Sequence, residues 1–120
     1  MTRTDEAAGA VVAVNEVRLA GRVSQDPERR ELPSGDEVWT FRLVVARPEA
    51  KRRGRTSVDA LECSAWSGRT RRAVRSWRAG DLVEVDGAVR RRFYRTGAGA
   101  ASVVEVEVER ARVIRRAASA

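Results

Sequence analysis

Hydrophobic and polar residues alternate along most of the chain, and this period of two predicts strands with one buried face. Proline- and glycine-containing segments interrupt the alternation after its first stretch, at Asp26-Pro27-Glu28 and at Pro33-Ser34-Gly35-Asp36, and predict turns there. The pattern predicts five strands, at residues 12–23, 38–46, 58–66, 82–94 and 102–110.

One segment, residues 68–79, has helical spacing instead. Thr70, Val74 and Trp77 recur at intervals of three and four, and Gly80 provides a stop signal. Trp77 therefore belongs to the predicted core. The arginines between these positions are predicted to face solvent: Arg71, Arg72, Arg75 and Arg78.

The order of the elements is strand, strand, strand, helix, strand, strand. This is the order of an OB-fold, a five-stranded Greek-key barrel, so the predicted fold class is all-β with one short helix. Gly87 lies inside the long fourth strand, where a glycine permits the bend that barrel closure requires. Alternation alone leaves another small α+β barrel open. We expect one domain at residues 13–114, a flexible N-terminus at 1–12 and a short disordered C-terminus at 115–120.

The charge of the chain narrows the class of partner. In 120 residues there are 24 Lys and Arg against 17 Asp and Glu, a formal net charge of +7. Such an excess on a single small domain favours a polyanionic partner. Lys51 is the only lysine among these basic residues, and an arginine bias of this kind also arises from genomic base composition.

Histidine is absent and Cys63 is the only cysteine. This excludes a Cys/His zinc site, a disulfide framework and His-dependent nucleophilic catalysis, so we expect no metal, no cofactor and no enzymatic activity. Asp81, Glu84 and Asp86 are interpreted as the exposed phase of a strand and its turn. A lone thiol fits a reducing cytoplasmic setting. No apolar run approaches the roughly 18 residues of a membrane span, and acidic Asp5 and Glu6 argue against a secretory signal.

Aromatic side chains are few, 5% of the chain, so the phase of each one is informative. Trp66 lies opposite the apolar Leu61/Cys63/Ala65 phase, which predicts an exposed ring that can stack on unpaired bases. Tyr94 shares its phase with two arginines and is predicted to point outward, whereas Phe93 shares the phase of Val83 and Val85 and is predicted to point inward. Trp39 shares the apolar phase of Phe41 and is assigned to the core.

Cations suited to phosphate contacts fall into two groups. One group lies on polar phases of the strands, and the other lies in a segment without periodicity between the second and third strands. That segment is interpreted as a mobile, basic loop that joins two strands, or as a solvated charge run. The first group is Arg22, Arg42, Arg90 and Arg92, and the second is Arg47, Lys51, Arg52, Arg53 and Arg55.

Five segments together resemble the bacterial single-stranded DNA-binding protein family. They are Asn15-Glu-Val-Arg-Leu-Ala-Gly-Arg-Val-Ser-Gln-Asp-Pro-Glu28, residues 38–46, Leu61-Glu-Cys-Ser-Ala-Trp66, Trp77-Arg-Ala-Gly-Asp-Leu-Val-Glu-Val-Asp-Gly87 and residues 90–94. They occur in the family's order, and the resemblance covers about residues 14–114.

The resemblance implies an OB-fold that binds single-stranded DNA with little sequence preference, in replication, repair or recombination. It implies a homotetramer, with a dimer as the alternative, whose subunits pair through the first strand. It also implies stacking aromatics at Trp66 and Tyr94 and a loop after the second strand that folds over DNA. Such a protein would be cytoplasmic and associated with the nucleoid.

The sequence departs from the family pattern in three places. Ala60 stands where the family usually has a further stacking tryptophan, and Glu62 stands where it has a basic residue. The chain closes on Arg115-Arg-Ala-Ala-Ser-Ala120 instead of an acidic tip that recruits repair enzymes. These departures suggest a specialised paralogue, and they leave open a second function, an OB-fold module for protein or RNA contacts similar to primosomal proteins.

Overall fold

The structure is a computed structural model that describes residues 12–118. Its strands and helix are β1 (Val17–Val23), β2 (Glu28–Glu31), β3 (Glu37–Ala46), β4 (Val58–Ala65), α1 (Gly68–Val74), β5 (Leu82–Thr96) and β6 (Gly99–Arg115). A short 3₁₀ turn, Glu49–Lys51, lies between β3 and β4. Within this part of the chain, no helix is long and apolar enough to cross a membrane.

Five of the strands close into a barrel. β1 pairs with β5, β5 with β6, β6 with β4, β4 with β3, and β3 returns to β1. Among these pairings only β4–β6 is parallel. The remaining strand, β2, lies outside the barrel and forms a hairpin with β3. The predicted fold class is confirmed: a closed five-stranded OB-fold barrel with one short helix.

Two glycines allow strands to cross closely where the barrel closes. A β-carbon at Gly21 would collide with the carbonyl oxygen of Val44, where β1 leaves β5 for β3. A β-carbon at Gly87 would collide with the carbonyl oxygen of Glu107, beside a shift of the β5–β6 register. The bend predicted at Gly87 is therefore a bulge in the pairing of β5 with β6.

The barrel interior contains the inward phases of the strands, as the alternation predicts. Leu43, Ala65 and Val83 are fully buried. Trp77 packs edge-on against Phe41 with ring centroids 5.2 Å apart, which confirms its core assignment. Trp39 is partly buried against the same core.

The helix is shorter than its pattern predicts. Ser67 caps its first turn by accepting a hydrogen bond from the backbone N–H of Thr70. After Val74 the chain tightens into a turn, because the N–H groups of Ser76 and Trp77 bond to carbonyls three residues back. Trp77 reaches the core from this turn rather than from the helix.

The beginning of the barrel also differs from the prediction. β1 starts at Val17 instead of residue 12, because only from there does its backbone pair with β5. Before it, the side-chain amide of Asn15 replaces backbone pairing: it donates to the carbonyl of Val89 and accepts from its N–H. The four-residue β2 was missed because Glu28–Glu31 contains no apolar residue and forms only by pairing with β3. Apart from residue 12, the N-terminus expected to be flexible lies outside the described residues.

The segment that follows β6 is bound to the barrel. β6 extends to Arg115, and the next two residues are bound to Asp81: its carboxylate accepts from the Arg116 guanidinium at 3.1 Å and from the Ala117 N–H at 2.8 Å. Asp81, predicted to be exposed, is only 2% exposed. The exposure expected for Asp81 is therefore wrong, because the segment that follows β6 covers its carboxylate.

The β5–β6 hairpin extends beyond the barrel as a two-stranded arm, which we define as residues 89–106. β1 leaves β5 at Gly87, and β4 reaches β6 only at Val106 and Glu107. The inward phase of β5 therefore loses its cover past this point. Phe93 was predicted to point inward and is 75% exposed, because no third element packs on the arm there.

Candidate nucleic-acid interface

A groove of about 550 Å³ lies between the β2–β3 hairpin, the end of β4 and the arm. Its walls combine aromatic, apolar and cationic side chains. Trp66 follows β4 and Tyr94 lies on the arm, so two positions distant in sequence line one groove. Its other lining residues include Arg30, Leu32, Val38, Arg92, Phe93 and Val103.

The Trp66 ring is held by a chain of hydrogen bonds. Its indole Nε1–H donates to the hydroxyl of Ser64 at 3.1 Å, and that hydroxyl donates to a carboxylate oxygen of Glu105. Ser64 is 2% exposed, so this relay lies beneath the groove surface. The relay fixes the position of the ring.

Arg92 covers one face of this ring. Its guanidinium carbon lies 4.7 Å from the ring centroid, a cation–π arrangement. The guanidinium is also paired with Glu107 at 2.9 Å and with Glu105 at 3.5 Å. The outward phase predicted for Trp66 is correct, but the ring is partly buried beneath an arginine rather than fully exposed.

Tyr94 is the more accessible of the two predicted stacking rings. It is 50% exposed and points outward from β5, as its phase predicts. Arg90 and Arg92 share that face, but each is paired with the carboxylate of Glu107. The face around Tyr94 is therefore aromatic and close to electrically neutral.

Three other predicted phosphate contacts have partners within the protein. Arg42 is paired with Glu62 at 2.6 Å, and Arg22 donates to the carbonyl of Gly80 at 2.8 Å. Arg47 forms a two-point pair with Asp59, at 2.6 and 3.0 Å. The hydrogen bond from Arg47 lowers the pKa of Asp59.

The remaining predicted phosphate contacts lie in the loop between β3 and β4 and have no carboxylate partners. Within the described residues, none of the four cations at its tip belongs to an ion pair: Lys51, Arg52, Arg53 and Arg55. None of them lines the groove either. The start of β4 lies roughly 25 Å from Trp66, at about 3.3 Å per residue along the strand.

The outer face of the β3–β4 pair connects the groove to this loop. Thr40 borders both the groove and a smaller cleft of about 200 Å³ that contains Arg42 and Glu62. Further along the same face, Val44 lies opposite Ala60, and Ala46 lies opposite Val58, where the loop begins. The sites predicted separately thus lie along one surface.

The lining residues that sequence reasoning missed include one cation and one aromatic ring. Arg30 lies on β2, where no strand was predicted, and it has no carboxylate partner among the described ion pairs. Phe93 was assigned to the core because its phase continues that of Val83. The polar composition of β2 and the unusual length of β5 were the only signals available.

The described residues contain no cluster of three or more His, Cys, Asp or Glu side chains able to hold a metal. Cys63 is buried in the barrel, and burial raises the pKa of its thiol to about 12. Its role is packing.

A closed five-stranded barrel with this strand order is an OB-fold, and aromatic rings and arginines along one outer surface are the features that binding of single-stranded nucleic acid uses. Residues 14–114 match the model of the single-strand binding protein family. The chain belongs to that family.

Similar proteins agree with this assignment. The single-stranded DNA-binding protein of Halalkalibacterium halodurans is 34% identical over 86 residues, which are 72% of this chain and 51% of that protein. Single-stranded DNA-binding protein A of Bacillus subtilis is 34% identical over 97 residues, 80% of this chain and 56% of that protein. The chain thus spans about half the length of these relatives.

A solved structure shows the same fold. The Plasmodium falciparum SSB complex with ssDNA superposes with a TM-score of 0.68 at 23% identity, covering 88% of this chain and 97% of that one.

Proposed function

We propose that this protein binds single-stranded DNA with little sequence preference, as a binding protein without a catalytic step, in replication, repair or recombination. Two observations support this: family membership, and a single surface that leads from the Trp66–Tyr94 groove to the unpaired cations of the β3–β4 loop. The second carries the proposal, because sequence-independent binding needs rings for bases and cations for phosphates along one path. We expect a protein with this function to act in the cytoplasm, on the chromosomal DNA.

Bases would stack on two different surfaces in the groove. Tyr94 offers an accessible ring. At Trp66 the incoming base meets the Arg92 guanidinium that lies over the indole, and a guanidinium is itself a planar cation that stacks on bases. Arg30 supplies a phosphate contact at the rim, and Lys51, Arg52, Arg53 and Arg55 clamp the strand further along.

Titration with oligo-dT at two salt concentrations tests the proposal. We expect tryptophan fluorescence to change on binding, and log K to fall with log salt by about 0.7 for each phosphate neutralised. Trp66→Ala and Tyr94→Ala should each reduce binding by about 1–3 kcal/mol. A wild-type protein whose fluorescence and mobility are unaffected by micromolar oligo-dT at low salt would refute the proposal.

The matched control is Trp39→Phe. Trp39 is partly buried on the core side of β3, so this substitution removes an indole without altering the groove. Affinity should be retained. Oligo-U run in parallel tests the second candidate, an RNA- or protein-binding module: tighter binding to oligo-U, or an affinity for oligo-dT unchanged in both aromatic variants, would favour that candidate.

We further propose that the protein is a homo-oligomer, a tetramer or a dimer, assembled through β1. β1 pairs with β5 along Val17–Arg22 but with β3 only at Arg22 and Val23, so one backbone edge before Arg22 is unpaired. An open edge can add a strand from a second copy across a two-fold axis. Light scattering should give two or four times the 13.3 kDa chain mass, and a monomer mass would overturn this assignment.

A further inference from the structure

The two faces of the arm carry different charge balances. Successive residues of a strand point to opposite faces, so Arg90, Arg92 and Tyr94 share one face, and Arg91, Phe93 and Arg95 share the other. We call the first the tyrosine face and the second the phenylalanine face.

The tyrosine face is neutralised by the strand beside it. Glu105 lies opposite Arg90 in the β5–β6 register, and Glu107 follows two residues further along β6 on the same face. These two carboxylates pair with Arg90 and Arg92. Two arginines thus oppose two glutamates.

The phenylalanine face has no carboxylate. The residues of β6 opposite Arg91, Phe93 and Arg95 are Val104, Ser102 and Ala100. Arg91 donates only to the Ser102 hydroxyl, at 3.2 Å, and neither Arg91 nor Arg95 belongs to an ion pair among the described residues. Two uncompensated cations therefore flank a ring that is 75% exposed.

We propose that the phenylalanine face is a second binding surface for single-stranded nucleic acid, with Phe93 as its stacking ring and Arg91 and Arg95 as its phosphate contacts. The inference deepens the proposed function and rests on it. Phe93 also borders the groove that contains Trp66 and Tyr94, so a strand leaving the groove can pass over the edge of the arm onto this face. The exposed Val104 extends the apolar surface beside the ring.

Charge complementarity favours a polyanion over a second copy of the chain. Two phenylalanine faces packed together would bring four arginines into contact without a carboxylate on either face, which is destabilising. A nucleic-acid strand brings both the π-faces and the negative charges that this face lacks.

The test compares a short oligo-dT of about 8 nucleotides, within the usual site size of one OB-fold, with a longer one of about 20. Phe93→Ala should weaken binding of the longer strand by about 5- to 100-fold and of the shorter strand much less. Phe93→Leu should behave like Phe93→Ala, because an apolar but non-aromatic side chain cannot stack. Arg91→Ala/Arg95→Ala should reduce the salt slope for the longer strand by about 1.4, the equivalent of two phosphates.

The control for net charge is Arg69→Ala/Arg72→Ala on α1, which removes two exposed arginines outside the arm and should leave the slope close to that of the wild type. Wild-type affinity for both strands in the Phe93 and Arg91/Arg95 variants would overturn this proposal. A loss of affinity in Trp66→Ala and Tyr94→Ala would still support binding in the groove. A changed mass in light scattering with unchanged affinity would assign the face to contact between copies instead. No binding of either strand by the wild type would refute both proposals.

Discussion

At the scale of single residues, the alternation located the rings but not their surroundings. Trp66 has the outward phase expected of it, yet it lies beneath Arg92 and bonds to Ser64. Ser64 is a local partner, two residues away along the chain, whereas the fold brings Arg92 to the ring from another strand. The Trp66 ring is therefore part of a network rather than an isolated side chain.

The first prediction concerns that network. Ser64→Ala removes the acceptor of the Trp66 indole N–H, so affinity for oligo-dT should fall by about 0.5–1.5 kcal/mol, the usual contribution of one hydrogen bond. If Ser64 acts through the indole, the loss should disappear in a Trp66→Phe background, where no N–H exists. A double-mutant cycle by oligo-dT titration measures the coupling.

The indole N–H resonance distinguishes a positioning role of Ser64 from a packing role. The chain has three tryptophans, so the indole N–H resonance of Trp66 can be assigned by its absence in Trp66→Phe. It should shift in Ser64→Ala. An equal loss of affinity from Ser64→Ala in both backgrounds would show that the hydroxyl acts only through packing.

At the scale of elements, the long hairpin illustrates how a strand can change its environment along its length. The same phase of β5 is buried at Val83 and Val85 and exposed at Phe93. The sequence pattern is continuous, and only the departure of β1 at Gly87 ends the burial. Strand alternation predicts which residues share a face, but it does not predict whether another element covers that face.

The second prediction tests the crossing at Gly87. Gly87→Ala should destabilise the barrel by about 1–3 kcal/mol, because the added methyl group collides with the backbone carbonyl of Glu107 and one strand must shift. Gly97→Ala at the tip of the arm is the matched control, since its added methyl group meets no neighbouring atom. Urea unfolding of both variants measures the difference. Equal stability of the two would mean that the β5–β6 bulge adapts without strain.

At the scale of the whole molecule, Asp81 joins the last strand to the turn before β5. Its carboxylate accepts from the backbone N–H of Arg78, from the backbone N–H of Ala117 and from the Arg116 guanidinium. Burial by itself would raise the pKa of Asp81, but these hydrogen bonds outweigh it, and the pKa lies below its ordinary value of 3.8. The carboxylate therefore stabilises the folded state in its charged form.

The third prediction follows from the lowered pKa of Asp81. A folded-state pKa below the unfolded value contributes stability above about pH 4, and this contribution is lost as the pH falls through the folded-state value. The pKa of Glu84 is lowered by the hydrogen bond from Arg18 and that of Asp59 by the hydrogen bond from Arg47, so both act in the same direction. The free energy of unfolding should therefore fall as the pH is lowered from about 5 to 3.

Asp81→Asn isolates the contribution of this one carboxylate. At pH 7 it should reduce the free energy of unfolding by about 1–3 kcal/mol, since charge-assisted bonds are weakened. It should also lessen the loss between pH 5 and pH 3. Asp36→Asn, an exposed carboxylate in the β2–β3 turn, should behave like the wild type. An unchanged acid transition in Asp81→Asn would show that Asp81 does not link the C-terminal segment to the barrel.

The sequence by itself determined the order of the barrel's elements, the buried Trp77 and the outward phases of Trp66 and Tyr94, because these follow from local periodicity and turn residues. Only the tertiary structure decided which arginines are neutralised, where β1 begins, that Phe93 is exposed and that Asp81 is buried. The physical reason is the distance along the chain between the residues that interact. Alternation records which side of a strand a residue occupies, whereas burial and ion pairing depend on neighbours that the fold brings from distant parts of the chain.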